Sequence, residues 1–386
     1  MCYNMMESRN AQGVGAIYLV SGWLIMRKQT NLSPLLANSC EELQKKFYEL
    51  KCPRDVAQLL QVPYKYLVYY IYKTPLEVRY KKFDIVKKSG GIRVIHSPNR
   101  SLKIIQRKLS QVLYAIYKPR PSVHGFAASC SIITNAKLHT KKNFILNVDL
   151  KDFFDSINFG RVRGMFSANP YNLDKSVSTV LAQICCFDGK LPQGAPSSPI
   201  VSNLVCSKMD SELQRFSKQH GILYTRYADD ITFSSNKKEL PKELVSSYEK
   251  GCGKVVLGDE LRIIIENNGF QINPDKVRLA YKTQRQKVTG LVVNKKVNIS
   301  RVYIRNVQAT LHNWETQGFN TVKDKYIAEY AKKRTNNKDS APFLDSLRGK
   351  IEFIGSVRGK NDYVYQKLLK KFDSLRNKKE MIDVDS

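Results

Sequence analysis

Acidic side chains are scarce in this 386-residue chain: 34 Asp and Glu face 64 Lys and Arg, leaving a formal charge of +30 and a pI near 9.7. Histidine is rarer still, at five, and the eight cysteines form no C-x-x-C pair, which argues against a structural zinc site. Apart from the vicinal Cys185–Cys186 the cysteines are scattered, a usage that fits reduced thiols in a cytoplasm. The apolar stretch Val14–Met26 has only 13 residues, too few to cross a bilayer. It lacks a strongly basic start and a small-residue cleavage site, so residues 1–30 are read as an N-terminal extension of unknown role, with no membrane association. No internal repeat and no long low-complexity linker divides the chain.

What is present is a globular composition, 42% hydrophobic with 10% aromatic residues, carrying a charge imbalance that calls for a polyanion. Nucleic acid is the natural one, since each neutralised phosphate releases a counterion; an anionic membrane surface is the competing reading. The charge is unevenly placed. Residues 65–145 hold 17 Lys and Arg against only Glu77 and Asp84, and residues 295–386 hold 20 basic against 11 acidic side chains. Two basic regions flanking a more balanced centre suit a duplex gripped on both sides of a metal site. Tyr64, Tyr66, Tyr69, Tyr70, Tyr72 and Tyr80 interleave the first region, where helix core plus a solvated rim accounts for them equally well.

Residues 40–73 predict two short helices, with Ser39 as N-cap and Pro53 and Pro63 as breakers. Lys81–Ser97 alternates and turns at Ser89-Gly90-Gly91, a hairpin. Apolar residues at Leu102, Ile105, Leu109, Val112, Leu113 and Ile116 make a helical stripe. Phe144–Leu150 reads as a buried strand, Leu223–Ser235 as strand, tight turn, strand, and Val288–Ile299 as a hairpin around Asn294-Lys295-Lys296. Beyond residue 300 the pattern is helical. Strands and helices in irregular order predict an α+β fold.

Three carboxylates stand out. Asp149 ends one predicted strand, and Asp229-Asp230 lie at the tip of a predicted hairpin 80 positions later. An Asp-Asp dipeptide alone is as a rule a solvated turn. A strand-end acid facing an acidic pair on a neighbouring hairpin, however, can hold two Mg²⁺ ions roughly 3.5–4 Å apart. Magnesium takes oxygen ligands and completes its shell from substrate phosphates. Three like charges so close are unfavourable without cations, which favours metal binding over a structural role.

Around these acids the sequence resembles reverse transcriptases over most of residues 80–300. GIRVIHSPNRSLKIIQ (91–106) resembles the fingers motif, FILNVDLKDFF (144–154) the first palm motif, LPQGAPSSPIVSNL (191–204) the nucleotide-side motif and RYADD (226–230) the catalytic hairpin. NGFQINPDKV (268–277) and KVTGLVVN (287–294) follow in the family's order. The resemblance implies a right-hand polymerase with fingers, palm and thumb, its antiparallel palm sheet packed on helices. It implies Asp149, Asp229 and Asp230 as metal ligands and catalytic acids. By the same resemblance Arg93, Phe154, Gln193, Gly194, Tyr227 and Lys276 bind the incoming nucleotide. Arg93 would clamp the triphosphate, Phe154 would exclude a ribose 2′-OH, and Lys276 would donate a proton to pyrophosphate.

Asn135-Ala136-Lys137-Leu138-His139 and Val288-Thr289-Gly290 fit the N-A-x-x-H and V-T-G patterns that resemble bacterial retron reverse transcriptases. Residue chemistry alone reads Asn135 and His139 equally as a helix cap and a satisfied core histidine. The resemblance implies that Asn135, His139, Val288, Thr289 and Gly290 bind RNA and that the partners are a cognate non-coding RNA, its single-stranded DNA product and dNTPs. It further implies priming from a guanosine 2′-OH, and an effector protein in antiphage defence. Expected divisions are an N-terminal helical segment (31–80), interleaved fingers and palm (81–299) and a mostly helical RNA-binding thumb (300–386), with Lys332, Lys333, Lys370 and Lys371 among its basic side chains. Two alternatives stay open. A group II intron maturase would share the triad but carry a longer C-terminal region; a polymerase-like scaffold would hold RNA and control an effector without synthesis.

Overall fold

The computed structural model describes residue 33 and residues 35–86, 90–249, 253–331 and 343–384. The stretch Val14–Met26, Ser89, Lys332 and Lys333 lie outside the described residues. Residues 34–386 form one compact unit.

Ser39 caps α1 (Cys40–Tyr48) as expected: its hydroxyl accepts from the Glu42 amide, and the Glu42 carboxylate accepts from the Ser39 amide. The next stretch departs from the two expected helices. α2 (Pro53–Leu59) and α3 (Tyr64–Val68) begin at or just after a proline, and α3 runs into a single π-helical turn, Tyr69–Lys73. The two prolines start helices rather than break them, because an N–H missing from the first turn had no partner to lose. After α4 (Leu76–Arg79), β1 (Tyr80–Val86) and β2 (Ile92–Pro98) form the expected antiparallel hairpin, with Ile85 opposite Arg93. Gly90 and Gly91 both sit at positive φ in its turn.

Asn99 accepts the Leu102 amide and so caps α5 (Arg100–Ile116), whose buried residues include the whole predicted apolar stripe. α6 (Ile132–Leu138) leads into β3 (Phe144–Lys151), then α7 (Phe159–Ser167), α8 (Lys175–Cys185) and α9 (Ser198–Gln219) precede β4 (Leu223–Tyr227) and β5 (Asp230–Ser235). A second hairpin, β6 (Val245–Glu249) and β7 (Lys254–Leu257), is followed by α10 (Asp259–Asn267), β8 (Gln271–Ile272) and β9 (Arg278–Tyr281). The main sheet runs β4-β5-β3, with β8 and β9 both pairing on the far edge of β3, and every pairing is antiparallel. Because both edges of β3 are occupied, its residues 144–150 are buried apart from Asn147, as a continuous apolar run predicts. Phe216 of α9 meets Phe233 of β5 edge-on at 6.3 Å, so the long helix closes one face.

The hairpin expected around Asn294-Lys295-Lys296 is shifted. β10 (Lys287–Val288) pairs with β11 (Leu291–Val292) across a turn at Thr289-Gly290, and residues 294–296 lie in a second return closed by mutual bonds between Val292 and Asn298. Four helices follow: α11 (Arg301–Gln317), α12 (Phe319–Ala331), α13 (Phe343–Arg358) and α14 (Tyr363–Val384). They pack around Trp314, whose ring lies 5.4 Å from Phe319, 6.0 Å from Phe343 and 5.9 Å from Phe372. The same apolar cluster takes in Val288, Leu291, Ala136 and Ile145, so the C-terminal helices share a core with α6, β3 and the β10–β11 turn. Among the described residues no helix is long and apolar enough to cross a membrane.

Candidate active site

The β4–β5 hairpin puts Asp230 directly opposite Asp149 in the sheet register, and the Leu150 amide donates to the Asp229 carbonyl at 3.1 Å. Alternation is what delivers the acids together. A two-residue turn, Ala228-Asp229, joins Tyr227 to Asp230, and Ala228 adopts φ +57°. A left-handed alanine costs about 1–2 kcal/mol, so the surroundings must enforce it.

The enforcing groups lie directly beneath. Arg226 is fully buried, with Nε 2.7 Å from Asp210 Oδ1 and Nη2 2.7 Å from Oδ2. Its Nη1 donates to the Ala228 carbonyl at 3.1 Å and its Nη2 to Asn203 Oδ1 at 3.2 Å. The Tyr224 hydroxyl donates to Asp210, and Asn203 Nδ2 donates to the Gly125 carbonyl at 2.9 Å. Although burial works against the guanidinium charge, the Asp210 carboxylate beside it more than restores it. Residues 122–125 run alongside: the Arg226 amide donates to Ser122 and the His124 amide to Arg226. At Gly125 a Cβ would stand 2.3 Å from the Ala228 nitrogen, so only glycine lets this segment press on the Ala228-Asp229 turn. Sequence reasoning gave Gly125, Asn203, Asp210 and Arg226 no role; the one signal was an arginine inside an otherwise buried strand.

Burial, and then the charge of Asp149, raise the Asp229 carboxyl above the usual range. Asp230 is exposed at the head of β5, yet desolvation by the surrounding strand ends and the charges of Asp229 and Asp149 push it up to about 6. Both carboxyls are harder to ionise than a free aspartate because they are desolvated and lie beside like charges, an effect that a divalent cation would offset. Asp149 faces Lys276, whose Nζ lies 2.8 Å and 3.0 Å from its two oxygens, while Asn273 Nδ2 lies 3.3 Å from Oδ1. Among the described residues no three acidic, imidazole or thiol groups are already gathered as a metal cage. The donor set nevertheless fits a hard cation: carboxylate oxygens on adjacent strand ends, open to substrate oxygens.

Arg93 of β2 is exposed, and its positive charge acts against the rise at Asp229. Gln193 accepts the His96 amide through its carbonyl at 2.8 Å. Gly194 has φ +115°, and a Cβ there would meet Ile95 Cγ2 at 2.7 Å, so this glycine lets β2 close down. Phe154 is half-buried between Phe153 and Phe126, at ring separations of 5.3 Å and 6.3 Å. Tyr227 is half-buried at the start of the turn.

The expected RNA-binding set needs correction. Asn135, His139 and Val288 are each 0% exposed, so their side chains have no face to offer RNA. His139 bridges two strands, with Nδ1 2.7 Å from the Ser234 hydroxyl and Nε2 2.7 Å from the Thr225 hydroxyl. Burial, helped by Lys142, holds its protonation down to about 3, so the ring stays neutral. Asn135 is no cap either, since Ser131 caps α6 through the amides of Ile133 and Thr134. The Thr289 hydroxyl donates to the Ile132 carbonyl at 3.1 Å, tying the β10–β11 turn to α6. Of this set, Thr289 and Gly290 alone reach the surface.

The family described as reverse transcriptase (RNA-dependent DNA polymerase) matches residues 85–293, which contain all three acids and Lys276. The retron Ec86 reverse transcriptase of Escherichia coli is 37% identical over 240 residues, 61% of this chain and 70% of the relative. The chain belongs to the bacterial retron-type reverse transcriptases. The retron Mx162 and Mx65 reverse transcriptases of Myxococcus xanthus are 36% and 32% identical, over 61% and 74% of this chain and 52% and 68% of their own lengths. Family membership makes the fold a right-hand polymerase, the β3–β4–β5 sheet its palm and the reaction RNA-directed DNA synthesis, for which the family normally uses divalent metal ions.

In this reverse transcriptase, Gly125→Ala drives a methyl into the Ala228 backbone and displaces the acids. The expected loss is about 100-fold in the rate of primer extension, the scale of an ångström misplacement of a reacting group, with RNA affinity unchanged. Single-turnover extension and filter binding measure both; a wild-type rate in the folded variant contradicts the arrangement.

Proposed function

We propose that this enzyme copies a cognate structured non-coding RNA into single-stranded DNA that stays joined to RNA, starting from a guanosine 2′-OH, with two Mg²⁺ ions held by Asp149, Asp229 and Asp230. The observation that carries the reading is the Asp149–Asp230 register beside Asp229, in a protein otherwise poor in acid. Bound there, the two ions would activate the attacking hydroxyl and neutralise the triphosphate and departing pyrophosphate. Arg93 would grip the triphosphate with its fork of donors. Gln193, Gly194 and Tyr227 would lie under the incoming nucleotide, and Phe154 would bar a ribose 2′-OH. Lys276 would supply a proton to pyrophosphate.

RNA affinity would come from phosphate contacts along the basic C-terminal helices and RNA choice from shape. Lys371 is engaged with Glu315 at 2.6 Å, whereas Lys370 is exposed and suited to a phosphate. The surface turn Thr289-Gly290 would be the part of the two signature motifs that touches RNA. A cytoplasmic setting, a protein effector and a role against phage rest on resemblance to retrons alone.

Two substitutions test the chemistry. Asp229→Asn with Asp230→Asn should reduce DNA synthesis at least 1,000-fold in a primer-extension assay and leave RNA binding within about twofold; surviving synthesis would sink the metal-site assignment. Phe154→Val should raise the ratio of ribonucleotide to deoxynucleotide incorporation at least tenfold, and an unchanged ratio would return Phe154 to core packing.

A further inference from the structure

Lys276 stands on a short 3₁₀ turn, Pro274–Lys276, whose backbone is fastened to the very residue its side chain meets. The Asn273 amide donates to the Asp149 carbonyl at 2.8 Å, the Lys276 amide to Asn273 at 3.1 Å, and Leu150 pairs with Ile272 in the sheet. The root of the lysine is therefore fixed relative to Asp149. Its side chain is 59% exposed on a flexible stem, free to leave in one direction, towards solvent. In place, the ammonium spans both carboxylate oxygens of Asp149 at 2.8 Å and 3.0 Å.

Those oxygens are the donors a divalent ion would take, at about 2.0–2.1 Å for magnesium. An ammonium and a divalent cation cannot share them: both would sit on one carboxylate, only a few ångströms apart, with like charges. We propose that Lys276 is a tethered counter-cation, which neutralises the triad in the metal-free protein and must be displaced from Asp149 before a divalent ion can bind. It is a positioning residue that sets metal affinity, separate from any proton it gives to pyrophosphate. It also couples metal to nucleotide. A triphosphate offers the ammonium another anion, so nucleotide arrival frees Asp149, and the ions load most tightly when there is something to join.

The proposal rests on the metal-site reading above, and one titration separates the two. Mn²⁺ is titrated into the full-length protein without nucleotide, the free ion being followed by electron paramagnetic resonance, for wild type, Lys276→Gln, Lys276→Arg and the Asp229→Asn/Asp230→Asn control. Lys276→Gln is expected to bind Mn²⁺ at least tenfold more tightly than wild type, and Lys276→Arg to stay near wild type. In thermal unfolding the metal-free Lys276→Gln protein should melt below wild type, and saturating Mn²⁺ should remove the gap. Wild type and control binding Mn²⁺ alike would overturn the metal site and this proposal with it. Loss of binding in the control, with Lys276→Gln equal to or weaker than wild type, would overturn the lysine's role alone.

Discussion

Arg226 brings a full positive charge into the interior two residues before Ala228 of the acid-bearing turn, and Asp210 meets it with both oxygens. A buried pair of this kind adds little net stability, but losing either partner strands a charge and costs about 3–5 kcal/mol. What the pair contributes is position. Through Arg226 the Ala228 carbonyl is fixed, through Asn203 the Gly125 segment is drawn in, and through Tyr224 the strand is fastened to α9. Remove that centre and nothing local holds a left-handed alanine between two strands whose purpose is to bring acids face to face.

The C-terminal helices are joined to this centre through α6. One side of α6 belongs to the apolar cluster built on Trp314; His139, just after the helix, reaches the hydroxyls of Thr225 and Ser234 on the β4–β5 hairpin. Thr289 holds the β10–β11 turn to the start of the same helix. His139 and Thr289 therefore link the helices proposed to grip RNA with the strands proposed to extend DNA. A neutral, doubly bonded histidine suits that duty better than RNA contact, because leaving two buried hydroxyls unpaired would be costly.

Much of this was legible in the sequence. The apolar stripe of α5 follows from a period of 3.6 and the burial of β3 from its apolar run, and the β4–β5 hairpin beside β3 accounts for the nearness of Asp229 and Asp230 to Asp149. What stayed hidden depends on partners far along the chain. Lys276 meets Asp149 across 127 positions and His139 meets Ser234 across 95, distances at which no local pattern speaks. Gly125 gave no sign because its need arises from backbone pressing on it, not from its own turn. The return at 294–296 is where Asn-Lys-Lys predicts it, whereas the β10–β11 turn at Thr289-Gly290 was missed because it depends on packing of Val288 and Leu291 into the Trp314 cluster.

The most direct test of the account is the nucleic acid that co-purifies when the chain is expressed with its native upstream DNA. The account predicts a discrete single-stranded DNA attached to RNA, shortened by RNase and released by a debranching enzyme. RNA alone, with no DNA formed even after dNTPs and Mg²⁺ are added, would contradict it and leave a scaffold that binds RNA without copying it.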